Sequence, residues 1–281
     1  MSAQTRNWPR AMVSDPLTAA ALLILTTLVL LAAAAPWISP VDPTFVDATA
    51  RLRPPSAEHW LGTDRVGRDI LSRALHGARI SLSVGALVTV VALSIGVTLG
   101  LLAGYVRMLD GIIMRVMDGL MAIPSVLLGV AALMAFGSTP QALVLAITLP
   151  TLPEIARLSR SLALTIRTEP FIEAAVMAGT RTPMLLWRHI LPNAAAPLIV
   201  LASYVCASAI IVEAVLSFLG IGTPSEQASW GNMIAEGRSS FQRAPWVVFV
   251  PSILLALTVL SINLIGDRLR DVTDPLRLGG R

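Results

Sequence analysis

Residues 169–193 read Glu-Pro-Phe-Ile-Glu-Ala-Ala-Val-Met-Ala-Gly-Thr-Arg-Thr-Pro-Met-Leu-Leu-Trp-Arg-His-Ile-Leu-Pro-Asn, and they lie between two apolar stretches each long enough to cross a bilayer. Glu169-Pro170 predicts a helix start, since a proline early in the first turn loses no hydrogen bond, and Phe171, Ala174, Ala175 and Ala178 recur at helical spacing. Gly179 permits the left-handed turn that ends a helix. Thr182-Pro183 starts a second helix, with threonine as its cap, and Pro192 is expected to stop it. A charge-bearing helical hairpin between two spans presents a surface for a soluble partner to hold. A helix lying in the headgroup layer suits Arg181, Trp187 and Arg188 equally well, so amphipathicity alone leaves the two readings even.

Outward from that hairpin the chain is a membrane protein. Of its 281 residues 55% are hydrophobic and 14% charged, outside the range of a soluble domain. The net charge of +4 comes with 21 arginines and no lysine, and the arginines cluster at the ends of apolar runs, which fits membrane orientation and not a nucleic-acid surface. The absence of lysine excludes a GxxxxGK[ST] phosphate loop, so this chain does not bind ATP in that way. A single cysteine, Cys206, excludes an intrachain disulfide and a thiolate metal cluster.

Six apolar segments predict spans at about 17–38, 80–106, 112–136, 141–160, 194–219 and 247–265, an all-α polytopic bundle of six transmembrane helices. Leu17 to Ala35 gives about 28 Å of helix and is read as a retained first span behind a cytoplasmic tail over 1–16, not as a cleaved signal. With that tail inside, 13 arginines fall on the cytoplasmic side and 8 outside, and Trp37 and Trp246 fall at the outer interface.

Within the spans, Gly96, Gly100 and Gly104 form a bare stripe for close helix packing. Arg115 and Asp118, three apart, can neutralise one another or reach a neighbouring helix, and Pro124 is expected to kink the third span at its middle. Pro150 and Pro153 should bend the fourth, with Glu154 placed to pair with Arg157. Glu213 sits among apolar neighbours, a costly position that marks either a contact with transported solute or an interhelical hydrogen bond.

Glu173-Ala174-Ala175, Gly179 and Leu191-Pro192, the pair twelve and thirteen positions after the glycine, resemble the EAA loop of bacterial ABC importer permeases. His189 ahead of the Leu-Pro pair is similar to the variant in the peptide and nickel permease family. Leu61-Gly62-Thr63-Asp64 with Gly67-Arg68-Asp69, Leu216 to Gly220 with Trp230-Gly231-Asn232-Met233, and Asn263 through Asp267, Leu269-Arg270-Asp271 and Asp274-Pro275 resemble that family's second permease component. Pro153-Glu154 departs from the pattern.

The resemblance implies a type I importer permease whose residues 169–193 are a cytoplasmic coupling hairpin, with Glu173, Ala174, Ala175, Gly179, His189, Leu191 and Pro192 meeting an ATPase. It implies a second homologous permease subunit, two ABC ATPase subunits that hold the ATP and magnesium, and a solute-binding protein outside, in the bacterial inner membrane with both termini cytoplasmic. This chain itself would carry no catalytic residue, metal or cofactor. Asp64, Arg68, Asp69, Trp230 and Asn232 are the expected contacts for the binding protein, and Arg115, Asp118, Glu154 and Glu213 the polar candidates within the bundle. Peptides lead as cargo, with nickel chelates and glutathione also carried in this family. The rival class is a secondary transporter driven by an ion gradient through Asp118, Glu154 and Glu213, which predicts inverted repeats and paired broken helices, neither of them visible in the sequence.

Overall fold

The computed structural model describes residues 15–137, 139–224 and 227–273, so the expectations for residues 1–14 of the tail and for Asp274-Pro275 lie outside the described residues. Ten helices follow in order among the described residues: α1 Pro16–Ile38, α2 Ile70–Tyr105, α3 Arg107–Met121, α4 Ser125–Phe136, α5 Pro140–Ile166, α6 Pro170–Met177, α7 Thr182–Leu185, α8 Leu191–Phe218, α9 Trp230–Gly237 and α10 Trp246–Thr273. A π turn over Leu186–Ile190 joins α7 to α8. Among the described residues five continuous helical stretches are long and apolar enough to cross a membrane, and the bent α3–α4 pair passes the same test only when its two helices are taken together, which gives six if that pair is one span.

Helix starts follow side-chain chemistry. Asp15 accepts from the Thr18 N–H at 3.0 Å and opens α1, and Asp69 accepts from the Ser72 N–H at 2.8 Å and opens α2. At 36 residues α2 is about 54 Å long, well beyond a hydrocarbon core of about 30 Å, so it carries the bundle past the bilayer. It starts ten residues before the expected span. The glycine stripe seats α2 on α5: a Cβ on Gly96 would stand 2.7 Å from Ile155 Cγ2, one on Gly104 2.6 Å from Ala163 Cβ, and one on Gly100 would strike the Ala156 carbonyl oxygen. The two backbones meet where side chains are missing.

Three expectations need correction. The third span is not a kinked helix over 112–136 but two helices at 94° to one another, because Pro124 drives Ile123 out of helical geometry and a new helix begins after it. Pro192 does not stop the second hairpin helix. It occupies the first turn of α8, and the i→i−5 bond from the Leu191 N–H to the Leu186 carbonyl carries the chain past it, so Thr182–Phe218 runs on as one rod. Thr182 is not a cap either; Arg181 holds that place with no side-chain bond.

α5 passes through both its prolines and ends at Ile166, beyond the expected 160. Pro150 has no N–H for the Ala146 carbonyl, and it is against that carbonyl that α4 lays its backbone at Gly129. The core divides by level. Leu101, Ala163, Ile172, Leu185 and Ile190 pack at the Tyr105 end of α2, Val88, Leu143, Ile147 and Leu216 in the middle, and Ile70, Ala74, Trp230, Met233 and Val247 at the Ile70 end.

Candidate functional site

The hairpin projects at the Tyr105 end of α2. Arg167 closes α5 and donates from Nη1 to the Gly104 carbonyl at 3.1 Å, which ties the root of the hairpin to α2. α6 then runs with Pro170 in its first turn, and its one buried side chain, Ile172, enters the core beside Leu185 and Ile190. Gly179 has φ +79°. Its N–H donates to the Val176 carbonyl at 2.9 Å and the Thr180 N–H to the Ala175 carbonyl at 3.1 Å, the paired bonds of a Schellman cap. The segment is thus a fixed turn with both its backbone ends satisfied.

What the hairpin exposes is decided by that single anchor. Glu173, Ala174, Phe171, Val176 and Met177 face outward while Ala175 is half-buried, and Met177 reaches 88% exposure. Glu173, Val176 and Met177 line one wall of a groove of about 590 Å³ whose other wall is Tyr105 and Arg167. The exposed face of α6 is thus an apolar patch around one carboxylate on a short helix. His189 is half-buried, its carbonyl accepting from Asn193 Nδ2 at 2.6 Å; Leu191 is half-buried and Pro192 exposed.

Charges on the hairpin side of the bundle pair differently from the spacing in sequence. Asp118 accepts from Arg157 Nη2 at 2.6 Å and Asp110 takes a two-pronged bond from Arg160 at 2.5 and 2.7 Å, both joining α3 to α5. Arg157 therefore does not pair with Glu154, which lies exposed, as does Arg115. Helix-to-helix geometry outranks the i,i+3 spacing, because α3 and α5 lie side by side.

The opposite end holds a cap made of the 39–69 loop and α9. Asp64, Asp69, Trp230 and Asn232, expected as contacts for a binding protein, are buried, and Arg68 is largely so. Their side chains hold the cap together. Asp64 Oδ2 receives Arg68 Nε and Arg73 Nη1, each at 2.6 Å, and Glu236 Oε2 on α9 receives Arg68 Nη2 at 2.5 Å and Arg73 Nη1 at 2.7 Å. Burial pushes the Asp64 carboxyl up, but the Arg68 backbone N–H and the Arg68 and Arg73 guanidiniums outweigh it and hold the group below the usual carboxylate range. His59 Nδ1 lies 3.0 Å from Asp69 Oδ1. Trp230 donates from Nε1 to the Ala74 carbonyl at 3.1 Å, and Trp246 to the Thr63 carbonyl at 3.3 Å.

Glu213 is buried within the same end. It accepts from Ser81 Oγ on α2 at 3.1 Å and from Ser217 Oγ at 2.8 Å, and the bonds continue through Thr223 and Ser229 to Asn232. Of the two sequence readings, the interhelical hydrogen bond is the one the geometry carries. Sequence reasoning missed the Asp64–Arg68–Arg73–Glu236 quartet. The one local signal was the i,i+4 spacing of Asp64 and Arg68, while Glu236 lies 163 residues from Arg73 and no spacing joins them.

A helical membrane subunit with a capped end and a rigid hairpin projecting from the other is the class these features define. Residues 96–278 match the model for binding-protein-dependent transport system inner membrane components, and residues 6–55 that for the N-terminal transmembrane domain of oligopeptide transport permease C. The chain is 50% identical over 272 residues to a probable peptide ABC transporter permease protein of Sinorhizobium fredii, covering 97% of this chain and 93% of the relative. It is 40% identical over 267 residues to a dipeptide transport system permease protein of Alkalihalophilus pseudofirmus, covering 95% and 88%. An inward facing structure of the MetNI methionine ABC transporter is similar in fold, with a TM-score of 0.59 and 22% identity over 73% of this chain and 97% of that one. The chain belongs to the binding-protein-dependent transport system inner membrane component family, and it is an integral membrane permease subunit of an ABC importer.

Proposed function

We propose that this subunit forms half of the pathway by which a peptide, or a related small polar solute, enters a bacterial cell, and that α6 is the part an ATPase grips. A second, homologous permease supplies the other half, two ATPase subunits hold ATP and magnesium beneath, and a solute-binding protein delivers cargo at the capped end. The hairpin and both termini then face the cytoplasm. The names of the two relatives support a peptide as cargo, and the absence of lysine from the chain supports placing nucleotide chemistry in the partners.

The observation that carries the coupling role is continuity. A partner that moves α6 moves a turn whose bonds are all made, and the rod from Thr182 to Phe218 carries that displacement through the bilayer to Glu213 and the cap. A flexible link would absorb the stroke. Gly179→Val tests it. No atom lies within 4 Å of a Cβ there, so the substitution acts through the backbone alone, where a β-branched residue resists φ +79°. The expected result is wild-type insertion with ATP hydrolysis that no longer drives uptake; uptake at the normal rate per ATP refutes the coupling role.

A further inference from the structure

The capped end carries a basic concavity of about 640 Å³ between the 39–69 loop and the segment after α9, lined chiefly by Arg65, Arg238, Ser239, Phe241, Gln242 and Arg243. Arg65 donates from Nη1 to Ser239 Oγ at 2.7 Å and makes no ion pair among the described residues. Arg238 lies 5.9 Å over the Phe218 ring, a contact that steadies the guanidinium without neutralising it. Arg243 is exposed and likewise has no ion pair among the described residues. Among the described residues, Asp64 and Glu236 are engaged by Arg68 and Arg73, and Asp69 by His59. Three guanidiniums with no ion pair among the described residues thus line one hollow.

We infer that this hollow is the docking site for an acidic face of the solute-binding protein; the inference rests on the proposed placement of the capped end outside the cell. Guanidinium forks match carboxylates in pairs, and Phe241, half-exposed and packed on Phe249 at a centroid distance of 5.7 Å, supplies the aromatic anchor that protein interfaces favour. The hollow belongs to the cap beyond the start of α2, a helix longer than the bilayer is thick, which places it above the headgroups and in reach of a soluble protein. The side chains expected from sequence to meet that partner are the buried frame that holds these arginines in place.

The test reconstitutes the complete importer, with its partner permease and ATPases, in nanodiscs of neutral or of anionic phospholipid and measures binding of the loaded binding protein at 50 and 500 mM salt. The R65Q/R238Q/R243Q variant, recovered at the wild-type level, is expected to bind at least tenfold more weakly at low salt and to lose most of its salt dependence, in both kinds of disc. Wild-type affinity and salt dependence in the variant overturn the inference, as does a loss confined to anionic discs, which assigns the arginines to lipid. Absence of binding by the wild-type complex itself overturns the importer reading and this inference with it, and is told apart by requiring no variant.

Discussion

Arg73 is 1% exposed and shares Asp64 and Glu236 with Arg68, so removing either acid leaves two guanidiniums, one of them buried, on a single carboxylate. Breaking such a pair by deleting one partner costs about 3–5 kcal/mol, far more than an exposed pair is worth. Asp64→Asn is therefore expected to loosen the cap, read as faster proteolysis of the 39–69 loop, whereas Glu58→Gln, which ends an exposed pair 3.8 Å from Arg53, should change nothing measurable. The same carboxylate gives a pH dependence with a definite sign. A group held below its ordinary value stabilises the fold at pH above the unfolded carboxylate value of about 4, and that contribution drains away as pH falls through the lower folded value. Cap protection should fall below about pH 4 in the wild type. In Asp64→Asn that acid step should be smaller, with Asp42 and Asp47, also held low by hydrogen bonds from Thr44 and Thr49, leaving the remainder.

At the scale of elements, the α2–α5 seam and the α3 face make opposite predictions for the same substitution. Alanine at Gly100 would drive a methyl into the Ala156 carbonyl, and overpacking of this kind costs about 1–3 kcal/mol. At Gly111 and Gly119 on α3 a Cβ meets nothing within 4 Å, so alanine there should be neutral or gain up to about 1 kcal/mol in helix propensity. Thermal unfolding of the purified chain in detergent separates the two cases. The glycine stripe, the Pro170 start and the Gly179 turn were legible because each rests on one residue's own backbone or missing side chain. The run through Pro192 was not, since an i→i−5 turn depends on Leu191 and Leu186 finding each other's backbone and leaves no mark in residue type. The pairing of Arg157 with Asp118 instead of Glu154, and the burial of Asp64 and Trp230, depend on which helices are neighbours, and that is a property of the assembled bundle.

Across the whole molecule, α2 sets the cap and the hairpin at the two ends of one helix about 54 Å long, more than a bilayer's hydrocarbon thickness, which predicts that the two surfaces lie on opposite sides of the membrane. The first and last helices agree: Asp15 at the start of α1 senses the charge of Arg268 near the end of α10, while Trp246 at the other end of α10 bonds to the cap loop. If α1, α2, the broken α3–α4 pair, α5, α8 and α10 each cross once, both ends of the described chain are expected on the hairpin's side. Single cysteines in a Cys206→Ser background test this directly. Trp60→Cys in the cap loop and Met177→Cys on α6 replace side chains 70% and 88% exposed, so neither should disturb the core. In intact cells whose outer membrane is permeabilised, a membrane-impermeant maleimide is expected to label position 60 and spare 177, and lysis should bring 177 to the same extent of labelling. Labelling of 177 from outside would invert the topology, and an ATPase could then not reach α6.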